Sequence, residues 1–430
     1  MLQKITSFVK EFLEKTEKKE VLIISHFDTD GITSAAIFGK TLAKLDRKFS
    51  FKIVKSLDKQ FIESLPKSKV LVFLDLSSGQ LREIAELPNE IFILDHHEIE
   101  AGLFIPEKLR LINYNIIPEG EPMSSSCTTY LVSKALTGRE DSELATLAII
   151  GLVGDIMEGK LGPLTSSIIK DAGTIIKKGL LLYPSTRPLN KALEYCSNPF
   201  IPGITGNSTG ASELLREAGI AFTKKGYKSL IELDEDEMKK LVTAVALRIP
   251  DAEKMQEFIG NLFLVKFFNQ IEDTRELSAL INACSRMNKS NIALLICMGH
   301  KNAKKQAENI YIQYKQSIIN ALNHVHSNPK IEGKKYIIVN AKDKIQDTII
   351  GTIASILSMS ALYKEGTIII TMAYNQDKIK VSSRISGRGK IKEADTRNLK
   401  EIMDEVTDLI GGESGGHKFA AGCVIGKDKE

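Results

Sequence analysis

From residue 20 to residue 160, short runs rich in Val, Ile, Leu and Phe alternate with segments of helical period. The runs predict strands at 20–25, 51–55, 69–75 and 90–95; helices are predicted at 32–45, at 126–137 with Ser124 or Ser126 as cap, and at 142–153. Apolar strands alternating with helices belong in a parallel sheet covered on both faces. In such a sheet ligands collect at the carboxyl ends of the strands.

The pattern then changes. From 160 to 230 the chain is rich in Pro, Gly and Ser, as in Pro184-Ser185-Thr186-Arg187-Pro188 and Asn198-Pro199-Phe200-Ile201-Pro202-Gly203, which excludes a continuous helix or central strand and predicts an irregular lobe. Residues 234–325 read as mostly helical, ending in an amphipathic helix over about 302–326 with Ile310, Tyr314, Ile318 and Leu322 on one stripe. After Pro329 the alternation resumes, with strands from Tyr336 to Asn340, Thr367 to Met372 and Lys378 to Ser382, and a helix from Ile349 to Leu362. The expected fold class is α/β: an N-terminal parallel-sheet core at 1–160, an irregular and helical region completing that domain at 161–300, a connector helix at 301–329 and a smaller C-terminal α/β domain at 330–430.

Composition sets the class of protein. With 430 residues, 43% hydrophobic and 26% charged, the chain has an ordinary globular make-up and room for two or three cores. Its net charge of +4 decides nothing by itself. Five scattered cysteines without C-x-x-C spacing disfavour a structural zinc site and fit a reducing compartment, so a cytoplasmic location is expected. Ile5, Phe8, Val9 and Phe12 stand at helical spacing among lysines and glutamates, a surface helix rather than a signal peptide. No apolar run reaches the roughly 18 residues that span a bilayer, and no membrane partner is expected.

Candidate chemistry sits where the predicted strands end. Ser25-His26-Phe27-Asp28-Thr29-Asp30-Gly31 follows the first run, Asp75 the third, and Asp95-His96-His97 the run Ile91-Phe92-Ile93-Leu94; Asp155 follows a helix. Taken singly, Asp75 or Asp95 would serve as a helix cap and Asp28 and Asp30 would shape a turn at Gly31. Independent capping does not require four acidic sites in register with a His-His pair at one sheet edge. Carboxylates and imidazoles without thiolate suit divalent Mn²⁺ or Mg²⁺. Five or six such groups are too many for one ion, and two ions suit phosphoester hydrolysis.

A second constellation lies near the C-terminus. Gly411-Gly412-Glu413-Ser414-Gly415-Gly416-His417-Lys418-Phe419-Ala420-Ala421-Gly422 is a glycine-rich segment whose backbone amides could approach an anion, with a following helix turning its positive end toward it and His417 adding a donor. Between Gln376 and Lys400, Lys378, Lys380, Arg384, Arg388, Lys390, Lys392, Arg397 and Lys400 stand against Asp377, Glu393 and Asp395, an excess of +5 that suits a polyanion. The alternative is an edge strand protected by lysines.

Together the two ends resemble the DHH/DHHA1 phosphoesterase superfamily: His26-x-Asp28-x-Asp30-Gly31, Asp75, Asp95-His96-His97 and Gly154-Asp155 are similar to its four N-terminal motifs, and Gly415-Gly416-His417-Lys418-Phe419-Ala420-Ala421-Gly422 to its C-terminal signature. The short spacing of the first motif, with Ile at position 24, resembles the RecJ-type branch, and Leu277 to Arg286 resembles a segment of archaeal RecJ-like proteins. The resemblance implies a DHH core with a DHHA1 substrate-binding domain. One metal would be held by Asp28 and His26, the other by Asp30, His96 and Asp155, with Asp75 bridging. It further implies His97 on the scissile phosphate, Asp95 orienting it, and Ser383, Arg384, Gly415, Gly416 and His417 on the nucleic-acid backbone.

The expected activity is a RecJ-like exonuclease releasing mononucleotides from single-stranded DNA or RNA with two Mn²⁺ or Mg²⁺ ions, in replication or repair. Two alternatives stay open: a replisome scaffold resembling CDC45, bound to GINS or a helicase with little catalysis, and a nanoRNase or small-nucleotide phosphodiesterase. Retained acids and histidines in all four motifs favour catalysis; the long middle region and the basic stretch count against a minimal small-molecule enzyme.

Overall fold

Strands that end in carboxylates must lie side by side before those carboxylates can meet, and the order of the first sheet does this. The computed structural model describes residues 1–100, 102–159, 161–196, 201–249, 255, 258–360, 362–387 and 397–430. These fall into two units, one comprising 1–285 and 290–307, the other 286–289 and 308–430.

The first unit opens with α1 (Leu2–Lys15), β1 (Val21–His26), α2 (Thr29–Lys44), β2 (Phe49–Val54), α3 (Lys59–Glu63), β3 (Val70–Leu74), α4 (Leu81–Glu86), β4 (Ile91–Leu94), β5 (Leu109–Ile112), α5 (Ser125–Thr137) and α6 (Ser142–Gly154). All five strands pair in parallel, in the order β2-β1-β3-β4-β5. The order reverses between β1 and β3, which opens a crevice at their carboxyl ends. β3 and β4 are buried at every position, as the unbroken apolar runs require. α6 is buried from Leu144 to Val153, an apolar helix surrounded on all sides.

The remainder of the first unit contains α7 (Pro163–Asp171), β6 (Ile175–Leu180), α8 (Leu189–Tyr195), α9 (Ser208–Glu217), α10 (Glu235–Ala246), β7 (Ile259–Phe267), β8 (Gln270–Asp273), α11 (Thr274–Arg286), α12 (Ser290–Cys297) and the first residues of α13 (Lys301–Ser327). Two expectations are corrected here. The stretch expected to be an irregular lobe carries helices and an edge strand, with its own core including Leu180, Leu193, Leu214, Leu241 and Leu262; of the segment that suggested irregularity, Asn198, Pro199 and Phe200 lie outside the described residues. The region expected to be mostly helical contains the hairpin β7–β8, which with β6 forms an antiparallel three-stranded sheet. Its turn places Phe268 at φ 47° and Asn269 at φ 64°, the left-handed pair a tight hairpin needs, but with Phe where Asn or Gly would advertise it. Along α13 the most buried positions include Ala303, Ala307, Tyr314, Ala321 and Val325, whereas Ile310, Ile318 and Leu322 are half-buried.

The second unit holds most of α13, then β9 (Ile331–Glu332), β10 (Tyr336–Asn340), α14 (Asp347–Met359), β11 (Ile368–Asn375), β12 (Lys378–Ile385), α15 (Leu399–Ile410), β13 (Glu413–His417) and β14 (Ala420–Gly426). Its six-stranded sheet runs β13-β14-β12-β11-β10-β9, with only the β10–β11 pair parallel. α15 covers one face through Leu399 and Met403 against Ile379, Val381 and Cys423. On the other, Thr371 Oγ1 donates to the Ile350 carbonyl of α14 at 3.1 Å. Among the described residues, no helix is long and apolar enough to cross a membrane.

α1 is more than a surface helix. Phe8 and Phe12 each meet Phe92 of β4 edge-on with ring centroids 5.1 Å apart, and Phe12 meets Phe38 of α2 at 5.3 Å. Phe12 is fully buried. Phe12→Ala is expected to cost about 3–5 kcal/mol, measured by urea unfolding; a loss under about 1 kcal/mol would mean that α1 does not dock as described.

Candidate metal centre

The tight turn from β1 into α2 places the first ligands. Asp28 caps α2, its Oδ1 accepting from Gly31 N at 3.1 Å, so Asp30 enters the first helical turn pointing into the core. A side chain at Gly31 would put its Cβ 2.3 Å from the His26 carbonyl, so the strand and helix approach this closely only around glycine. Asp30 is fully buried and its two oxygens accept from Ser125 N at 2.7 Å and Ser126 N at 3.0 Å, the first amides of α5. Gly151 makes the room: a Cβ there would lie 2.5 Å from Asp30 Oδ1 and 2.2 Å from Ser126 Oγ.

Asp75 follows β3 with φ 60°, a left-handed backbone that swings its carboxylate into the crevice, and is 1% exposed. Ser125 Oγ donates to its Oδ1 at 3.1 Å. His96 Nε2 lies 3.3 Å from Asp75 Oδ1 and 3.1 Å from Asp155 Oδ2, Asp155 closing the end of α6. His26 Nδ1 is 2.9 Å from Asp28 Oδ2 and 3.6 Å from Asp75 Oδ2. Neither the His26 nitrogen nor Asp75 Oδ2 is aligned for a hydrogen bond, although both atoms are buried.

Among the described residues, three overlapping sets of side chains therefore have ligand atoms within 4.8 Å of one another: His26, Asp28 and Asp75; Asp30, Asp75, His96 and Asp155; and Asp75, His96 and His97. Asp75 belongs to all three.

Asp95 is different. Its Oδ2 accepts from Ser78 N at 2.9 Å and Ser78 Oγ at 2.6 Å, and its Oδ1 from His96 N at 2.8 Å and His97 N at 3.3 Å, with His97 Nδ1 also 2.8 Å away. Both oxygens are occupied in orienting the two histidines. With Nδ1 donating to Asp95, the other ring nitrogen of the half-exposed His97 stays available.

The titration of these groups records how crowded the negative charge is. Burial, then the charges of Asp155 and Asp75, holds Asp30 well above the usual carboxylate range, against the opposing charge of His96 and a hydrogen bond from Ser126. Burial also lifts Asp155 to about 6. Burial opposes a charged His96, yet its contacts with Asp155 and Asp75 outweigh it and push the imidazole up to about 12. Asp75 goes the other way: burial raises it, but His26 and His96 hold it well below its ordinary value. Such an excess of buried negative charge is what divalent cations neutralise. The donors are oxygens and imidazole nitrogens, as hard cations prefer, and the thiol of the neighbouring Cys127 is pushed up by burial and stays protonated.

Several contributors were not foreseen. Asn113 Nδ2 donates to the His97 carbonyl at 2.8 Å and Asn115 Nδ2 to the His96 carbonyl at 2.9 Å, fixing the backbone under both histidines. They follow β5, whose Leu109-Arg110-Leu111-Ile112 is interrupted by an arginine and does not read as an apolar run. From α11, Asn282 Oδ1 accepts from Thr29 N at 3.1 Å and the Ser278 carbonyl from Thr29 Oγ1 at 3.0 Å, bracing the start of α2.

In the second unit the glycine-rich segment corrects an expectation. It forms the strands of a β13–β14 hairpin, and a short 3-10 turn rather than a helix follows it. Gly415, Gly416 and His417 are exposed on β13, at one end of the sheet order. Register places His417, Ala420 and Arg384 in one row across β13, β14 and β12, so Arg384 and His417 stand about 10 Å apart at the backbone. Arg384 Nε donates to Ser355 Oγ at 3.0 Å. Burial, then the positive charge of Arg286, lowers its pKa; Arg286, whose Nη1 donates to the Thr348 carbonyl at 3.2 Å, was not foreseen as a site residue. Ser383 is buried and donates to the Ala421 carbonyl at 2.9 Å. Of the basic stretch, Arg388, Lys390 and Lys392 lie outside the described residues, Arg397 donates to the Gly366 carbonyl and Lys400 pairs with Asp404.

Three family models match the chain: the DHH family N-terminal domain over residues 20–152, the DHH-CID domain over 182–262 and the DHHA1 domain over 333–430. The chain belongs to the DHH/DHHA1 superfamily as a RecJ-like member with a phosphoesterase fold. It is 28% identical to an uncharacterized protein of Methanocaldococcus jannaschii, over 100% of this chain and 94% of that protein. It is 23% identical to the single-stranded-DNA-specific exonuclease RecJ of Bacillus subtilis over 35% of this chain, and spans only 20% of that enzyme. Among solved structures, RecJ of Thermus thermophilus in complex with Mn²⁺ superposes with TM-score 0.60 at 17% identity, over 99% of this chain and 52% of that one. CDC45 of Entamoeba histolytica superposes with TM-score 0.66 at 11% identity, over 99% and 96%.

Saturating Mn²⁺ is expected to raise the melting temperature by about 5 °C or more, read by scanning calorimetry, and Asp75→Asn to remove most of that shift. An equal shift in both proteins would place the ions elsewhere.

Proposed function

We propose that the chain is a divalent-metal-dependent phosphodiesterase of the RecJ type that hydrolyses single-stranded DNA or RNA from an end and releases mononucleotides. The observation that carries this is Asp75, a buried carboxylate shared by every ligand set and holding one oxygen without a hydrogen-bond partner. One ion falls to His26, Asp28 and Asp75, the other to Asp30, Asp75, His96 and Asp155, with Mn²⁺ favoured by the likeness to the Mn²⁺-bound RecJ structure and Mg²⁺ also suited. When bound, such ions lower the pKa of the attacking water and offset charge on the leaving oxygen.

The remaining steps belong to the chain itself. Asp95 accepts from His97 Nδ1 and its charge favours the imidazolium, whose other ring nitrogen then holds a proton toward the scissile phosphate. Gly415, Gly416 and His417 offer an exposed strand for the sugar-phosphate backbone, with Ser383 holding β12 in place beside them. Arg384, with the positive charge of Arg286 acting on it, offers a site for a further phosphate. The likeness to CDC45 favours a second role in which the same chain docks on a replication protein such as GINS or a helicase.

Incubation with end-labelled single-stranded DNA and RNA should yield mononucleotides with Mn²⁺ or Mg²⁺ and nothing in EDTA. Asp75→Ala should fall to background with the fold retained by circular dichroism. Metal-loaded protein that leaves every strand intact while binding a replication partner would instead select the scaffold role. Arg384→Ala is expected to weaken strand binding and to flatten the slope of log K against log salt by about 0.7, read by fluorescence anisotropy; an unchanged slope would remove Arg384 from the interface.

A further inference from the structure

Helix α6 ends in an unusual way. Ile156 N donates to the Val153 carbonyl at 3.2 Å and Met157 N to the Leu152 carbonyl at 3.1 Å, the paired closure that requires a left-handed residue at position 156. That residue is nearly always glycine, and α5 obeys the rule, ending on Gly138 at φ 67°. Here it is isoleucine at φ 58°, and among the described residues Ile156 is the only β-branched side chain with positive φ. The conformation is strained for a β-branched residue, whose Cβ crowds the backbone there.

Packing does not offset that strain, because Ile156 is 75% exposed. An exposed apolar side chain alone is ordinary, and so is a strained backbone at a site; an exposed isoleucine held in a glycine conformation is neither. Its position supplies the reason. It directly follows Asp155, whose carboxylate is 3.1 Å from His96, so its Cα lies about 3.8 Å from that of a residue lining the metal centre.

We infer that Ile156 is a substrate-positioning residue: its apolar surface packs against the sugar and base of the nucleotide whose phosphate is at the metal centre. Aliphatic contact with these faces does not depend on base identity, so Ile156 aligns the nucleotide without selecting sequence. The two closing hydrogen bonds hold the left-handed backbone that leaves the side chain exposed, and the contact stabilises the bound strand by apolar burial. This rests on the nuclease assignment proposed above.

The test uses the full chain with Mn²⁺ and labelled single-stranded oligonucleotides, comparing Ile156→Gly, Ile156→Asn and Ile156→Leu. Glycine and asparagine both accept the left-handed backbone, so neither variant should melt below the parent, and Ile156→Asn should melt about 2 °C above it. Both should raise KM roughly five- to tenfold, with kcat falling by less than KM rises, while Ile156→Leu stays within about twofold of the parent. Melting that falls in the glycine and asparagine variants would mean the side chain stabilises the fold, and would overturn the inference. So would an unchanged KM in an otherwise active series. A parent protein that neither binds nor cleaves any strand would overturn the nuclease assignment and this inference together.

Discussion

Everything at the N-terminal sheet edge depends on a single buried carboxylate. Asp75 sits where the strand order reverses, between the residues that follow β1 and those that follow β4, with a left-handed backbone and 1% exposure. Among the described residues, Asp75 is the side chain common to all three sets of candidate ligands. A charge in that position is tolerable only if it is neutralised, and in the protein alone His26 and His96 supply the compensation. The surrounding fold serves this arrangement: glycines at 31 and 151 let α2, β1 and α6 close in, and the first amides of α5 hold Asp30 beside it.

Support reaches the centre from distant parts of the chain. Asn113 and Asn115 clamp the carbonyls of His96 and His97, Ser78 occupies one oxygen of Asp95, and α11 braces Thr29 through Ser278 and Asn282. The residues that could hold ions are thereby set by others that touch no ion, which is how a site keeps its geometry while its ligands repel one another. Ile156 is the exception, since its backbone stores strain at the rim.

Much of this was legible in the order of residues. The apolar runs that become β1, β3 and β4, and the acids and histidines that follow them, could be read directly, because a buried parallel strand needs an unbroken run and its end is where polar groups can emerge. The second unit was equally plain in β10, β11 and β12. Other features were hidden for specific reasons. β7 and β8 join through Phe268-Asn269 rather than a glycine turn, β5 is interrupted by Arg110, and the glycine-rich segment reads as a loop although cross-strand pairing draws it into β13 and β14. α13 was recognised by its large apolar residues, but its closest packing falls on alanines as well, since small side chains let a neighbour approach.

The amino-acid order by itself determined the inventory: which groups can bind metal, which ends of which strands carry them, and that carboxylates and imidazoles without thiolate suit hard cations. Their division of labour, implied beforehand only by the family resemblance, finds its physical basis in the tertiary structure. That Asp75 is shared, that Asp95 is saturated by donors and that Ile156 occupies a glycine's conformation all depend on distances between residues remote in the chain or on a backbone angle. Local sequence carries periodicity and propensity, but such contacts are fixed by how helices and strands pack, and packing is a property of the whole fold.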